Sequence, residues 1–105
     1  MNMPKRRPVI RHVVMFSWTA EVTGEQKQQV AAELRRLPVL LPVLRACHVG
    51  PGLGLVQGNF EFAVAAGFDD LEGYQAYRDN PEHREIIGKF IQPVAGQPAA
   101  VQDES

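Results

Sequence analysis

Residues 9–18 form a mostly apolar run interrupted by Arg11, His12 and Ser17. Ile10, His12, Val14, Phe16 and Trp18 point one way; Val9, Arg11, Val13, Met15 and Ser17 point the other. Both faces are mostly apolar beyond His12, and β-branched and aromatic residues dominate, so a strand needing cover on each side is predicted. The period then changes. Thr23 with Gln26 forms a capping-box pattern, and Val30, Leu34 and Leu37 recur at helical spacing, so a helix runs to about Leu37, where Pro38 and Pro42 end it. A shorter strand is predicted over 44–49, closed by Gly50-Pro51-Gly52, and a third over 59–67 with Phe60, Phe62, Val64 and Ala66 on one face. Asp69 with Glu72 predicts the cap of a second helix, over 71–79. Pro81 disfavours helical geometry at Asn80 and suits the first turn of a new helix, expected over 82–94 and packing through Ile86, Ile87, Phe90, Ile91 and Val94. A last strand is predicted over 99–104.

The order β-α-β-β-α-α-β fits an α+β fold: a ferredoxin-like four-stranded antiparallel sheet with helices on one face. The other sheet face is apolar as well, and no element of the chain is left to cover it. A second copy packed sheet against sheet solves this, so a homodimer forming an α+β barrel is expected.

Composition narrows the function classes. A chain of 105 residues is one domain that buries roughly two-thirds of its unfolded surface, a small core that association would help. Hydrophobic content of 45% and charged content of 22% are those of an ordinary globular protein. A formal net charge of −1 gives no basic field for nucleic acid; Lys5, Arg6 and Arg7 sit in residues 1–8, read as a flexible basic arm before the domain at 9–105. No apolar run is long enough for a membrane span. The lone Cys47 excludes an intrachain disulfide and a cysteine zinc site, and a reducing cytoplasm is expected.

Chemistry concentrates in Tyr77-Arg78-Asp79-Asn80-Pro81-Glu82-His83, a phenol and an imidazole close to a helix break. His83 shares a helix face with Ile86, Ile87 and Phe90, so it should point at the sheet, where burial depresses its pKa and keeps the imidazole neutral near pH 7, free to accept a proton. Tyr77 offers a hydroxyl to a developing oxyanion. His12, among Ile10, Val14 and Phe16, is the third member of this catalytic set. Each also has a purely structural reading: His83 as a local helix cap, Tyr77 as a core aromatic, His12 as a sheet-face histidine. The glycines of 51–58 lack the third glycine and the Lys-Ser/Thr pair of a phosphate cradle. The three histidines lack metal-ligand spacing, so neither metal nor cofactor is expected.

Arg11-His12-Val13-Val14-Met15-Phe16 resembles the H-x-V-x-F opening of the stress-responsive A/B barrel (Dabb) domains. The segment from Phe68 through Tyr77 to Pro81-Glu82-His83 resembles that family's F-x-S-x-E-x-x-x-x-Y-x-x-x-P-x-H signature, with Asn80 where a histidine is often found. The resemblance spans nearly the whole chain and implies a dimeric α+β barrel. Most members of that family have no assigned activity, but one branch resembles a plant polyketide cyclase, in which a His at the position of His83 is the base of an intramolecular aldol condensation. A Tyr matching Tyr77 assists there, and a pocket histidine matches His12. Two functional readings therefore stand. One is a cofactor-independent cyclase acting on a small apolar or polyketide-like ligand. The other is a non-catalytic stress-associated domain for dimerisation and ligand carriage; a cofactor-independent monooxygenase is a weaker third.

Overall fold

The computed structural model describes residues 9–104; the basic arm at 1–8 lies outside the described residues. The elements are β1 (Ile10–Phe16), α1 (Gly24–Arg35), α2 (Leu37–Leu40), β2 (Ala46–Pro51), β3 (Phe62–Phe68), α3 (Leu71–Asp79), α4 (Pro81–Ile86), a π-helical turn (Ile87–Ile91) and β4 (Ala99–Glu104). The strands form one antiparallel sheet in the order β2-β3-β1-β4. This is the ferredoxin-like arrangement that the alternation implies.

Register decides which side chains meet the helices. His12 lies opposite Ala66 and Gln102, Val14 opposite Val64 and Ala100, and Phe16 opposite Phe62. On β2, Cys47 and Val49 complete the same face. Phe16, Val49, Phe62, Val64, Ala66 and Phe68 are buried there against Val30 and Leu34 of α1, Leu37 of α2, Tyr77 of α3 and Ile86 of α4. Each of these Val, Leu, Ile and Phe side chains contributes about 1.5–3 kcal/mol when fully buried. The opposite face carries Val13, Met15, Ala63, Ala65, Ala99 and Val101, and no element of the described chain covers it.

Helix ends follow local chemistry. Both halves of the capping box form at α1: Gln26 N–H donates to the Thr23 hydroxyl at 3.1 Å, and Thr23 N–H donates to the Gln26 side chain at 2.9 Å. The helix stops at Arg35, and Pro38 is accommodated in the first turn of α2, where its missing N–H costs no helical bond. The N-cap of α3 is Asp70 rather than the expected Asp69. Asp70 accepts from Gly73 N–H at 2.8 Å, whereas the Asp69 carboxylate pairs with Arg45 at 3.0 Å. Strand boundaries also shift. β3 starts at Phe62, leaving Phe60 40% exposed, and β2 runs on through Gly50 and Pro51. A proline is tolerated there because β2 is an edge strand. No helix among the described residues is long and apolar enough to cross a membrane.

Candidate functional site

Asn80 is the hinge on which the site is built. Its extended backbone ends α3, its N–H donating to the Tyr77 carbonyl at 3.3 Å. Its side-chain oxygen accepts from the N–H groups of Glu82 and His83 at 2.8 and 3.1 Å, capping α4, while Pro81 fills the first helical position. One residue thus fixes the angle between two helices and swings His83 back over Tyr77. Their rings stack with centroids 4.0 Å apart and an interplanar angle of 31°.

The third residue arrives from the sheet. The His12 ring centroid lies 6.1 Å from that of Tyr77 and 5.3 Å from that of Tyr74, and Phe68 supports both tyrosines from below at 5.1 and 5.8 Å. His12, Tyr77 and His83 all line one cavity of about 580 Å³ between the sheet and the helices. Val14, Phe16, Leu34, Ile87 and Ile91 give it apolar walls, and Gln97, Pro98 and Ala100 stand along its β4 side. A volume of this size is typical of small-molecule sites. A second hollow of about 500 Å³ beside Arg45 and Asp69 is more open and touches none of the three residues.

Burial sets the electrostatics. It lowers the pKa of His12 below the ordinary imidazole value. His83 is lowered too, first by burial and then by the charges that His12 and Arg84 would present. The backbone carbonyls of Tyr77 and Arg78 act on it in the opposite sense, yet no partner meets hydrogen-bond geometry with its buried Nδ1. Burial raises the Tyr77 phenol well above its ordinary value, and the nearby Cys47 and Tyr74 add to this, so the hydroxyl stays protonated. Cys47 is itself raised by burial and is no ready nucleophile. Near neutral pH the cavity therefore holds two neutral imidazoles and a neutral phenol. Among the described residues, no group of three or more His, Cys, Asp or Glu side chains is placed to hold a metal ion.

The stress-responsive A/B barrel (Dabb) family model matches residues 10–102. The chain belongs to that family. Among solved structures, a dimeric ferredoxin-like protein of unknown function from Thermobifida fusca is 38% identical, over 99% of this chain and 97% of that one, with a TM-score of 0.86. A dimeric protein of unknown function from Bacteroides fragilis is 26% identical over 92% and 96%, with a TM-score of 0.77. A hydroxynitrile lyase from Passiflora edulis superposes with a TM-score of 0.84 over 94% of both chains, but at 17% identity this shows a common fold alone. No curated protein sequence matches the chain. In this Dabb domain two features around the site were not legible from the sequence. Gln102 reaches His12 only through the β4 register, and the π-turn places Ile87 and Ile91 in the wall. A π-helical turn often marks a functional position. Its i→i+5 bond, from Gln92 N–H to the Ile87 carbonyl at 2.9 Å, leaves no signature in hydrophobic spacing.

Proposed function

We propose that this Dabb domain pairs with a second copy through its open sheet face, and that its cavity binds a small, largely apolar carbonyl compound on which His83 acts as a general base. The observation that carries this reading is the convergence of Tyr77 and His83 on one cavity, with walls otherwise mostly apolar. The pairing is supported by the uncovered apolar sheet face and by the dimeric relative at 38% identity.

The reaction favoured is an intramolecular aldol closure without a cofactor. With His83 in the tautomer protonated on its buried Nδ1, Nε2 keeps its lone pair for the substrate. It takes a proton from the carbon between two carbonyl groups. That carbon forms a C–C bond to a distant carbonyl carbon of the same molecule. The proton then returns from His83 to the resulting alkoxide, so electrons and protons balance with no oxidant. Tyr77 donates to the oxygen on which negative charge develops. The apolar walls fold the flexible chain and exclude water, so closure is favoured over hydrolysis.

A linear triketone tests the reading. Wild type is expected to cyclise it, with His83→Ala reduced at least about 100-fold and Tyr77→Phe by a similar factor. Activity should be full at neutral pH and fall as pH drops through the His83 pKa, with its midpoint below the ordinary imidazole value of 6.5. Folding stability should move the same way. The folded imidazole binds its proton less readily than the unfolded one, so acid below that value favours unfolding. Equal binding and turnover by wild type and His83→Ala removes His83 from the site. Saturable binding of the triketone that needs the cavity, with no turnover by wild type, selects ligand carriage instead.

A further inference from the structure

We propose that Gln102 is a positioning residue: its side-chain N–H, donated to His12 Nδ1, holds the imidazole proton on Nε2 and makes His12 a hydrogen-bond donor to the carbonyl oxygen of the bound ligand. This rests on the reading of the cavity as a carbonyl site. It assigns the two histidines opposite tasks within it.

The geometry comes from register. Gln102 and His12 are direct partners on neighbouring antiparallel strands, so their side chains rise from the same face of the sheet. That face is the cavity side, since Val14 and its partner Ala100, two residues along each strand, both line the cavity. The Gln102 Nε2 stands 2.8 Å from His12 Nδ1. In this amide orientation the nitrogen faces the ring and donates, so Nδ1 accepts and a neutral ring carries its proton on Nε2. His83 has no such partner: its buried Nδ1 meets none, the Asn80 cap holds only its backbone N–H, and its ring stacks on Tyr77.

An aldol closure needs one group that accepts a proton from carbon and others that donate to oxygen. Two free histidines in one apolar cavity would be interchangeable, and protonation of either would oppose that of the other. A fixed tautomer removes the ambiguity. Tyr77 and His12 become the two donors, and His83 remains the acceptor. A neutral imidazole donor has a further advantage over a charged one: it stabilises an oxyanion without protonating it early.

The tautomer is measured directly by the ¹⁵N shifts of His12 in wild type, Gln102→Leu and Gln102→Glu. Gln102 is exposed on an edge strand, so both variants should fold, which far-UV circular dichroism checks. Wild type is expected to show a protonated Nε2 and a bare Nδ1. Glutamate accepts where glutamine donates, so Gln102→Glu should move the proton to Nδ1, and Gln102→Leu should show a mixture. Turnover of the triketone should fall about tenfold or more in Gln102→Glu, chiefly in kcat, because the lost contact strengthens only as the oxyanion forms. A wild-type proton on Nδ1, or one tautomer in all three proteins, overturns the assignment. So does a tautomer that moves in Gln102→Glu while kcat stays unchanged. The carbonyl site itself is judged separately, by His83→Ala, whose result does not depend on the His12 tautomer.

Discussion

Replacing Val13 with glutamate is expected to turn a dimer into a monomer. Val13 sits in the middle of the open sheet face, opposite Ala65 on β3 and Val101 on β4, with Met15 and Ala63 in the next row. The row at the far side is closed by the bidentate ion pair of Arg11 with Asp103, at 3.0 and 2.6 Å, so the apolar field has a polar edge of the kind that rims an interface. A two-fold axis through this face would bring the same patch of two protomers together. An unpartnered carboxylate there costs about 3–5 kcal/mol, and at 1.4 kcal/mol per tenfold the association weakens by about a thousandfold. Sedimentation at micromolar concentration is the measurement. Wild type should run as a dimer and Val13→Glu as a folded monomer. Should Val13→Glu fail to fold, Val101→Glu asks the same question from an edge strand where the side chain is already 53% exposed. A monomeric wild type, or a dimeric variant, defeats the pairing.

How much of this was legible beforehand depends on the range over which each signal acts. The β-branched and aromatic run of β1 and the Thr23–Gln26 box are local signals, and both elements form with those residues in those roles. The break at Asn80-Pro81 was equally readable, because the proline restricts its neighbour whatever the rest of the chain does. The twin aspartates were not. Local spacing favours Asp69 as the cap, but Arg45, distant in sequence, claims its carboxylate and hands the role to Asp70. Alternation puts Phe60 on the face of Phe62 in a strand from residue 59, yet β3 pairs with β1 only from Phe62. The candidate site shows the same divide. Tyr77 and His83 stood out as residue types near a break. Whether they share a cavity depended on the helix–helix angle, which no spacing rule gives across a proline. The partnership of His12 with Gln102 spans most of the chain and exists only once the β4 register is fixed.

Truncating Phe68 to alanine should be the most destabilising single change near the site. Phe68 ends β3 opposite Ile10, is 0% exposed, and packs against both Tyr74 and Tyr77. Emptying such a position costs about 3–5 kcal/mol, out of the roughly 5–15 kcal/mol that holds a domain of this class together. A fall in Tm of at least about 12 °C is expected by differential scanning calorimetry. Leu71→Ala, three residues away but 57% exposed, should stay within about 0.5 kcal/mol and serves as the control. The loss reaches function through geometry. Tyr77 rests on Phe68 on one side and carries the stacked His83 on the other, so a void under Tyr77 frees the ring that holds the base. Below its Tm, the folded fraction of Phe68→Ala should therefore bind the triketone more weakly than wild type, while Leu71→Ala binds equally. A variant that loses stability but keeps full affinity would mean that the cavity does not depend on the aromatic stack, and that Tyr77 is core packing rather than part of a site.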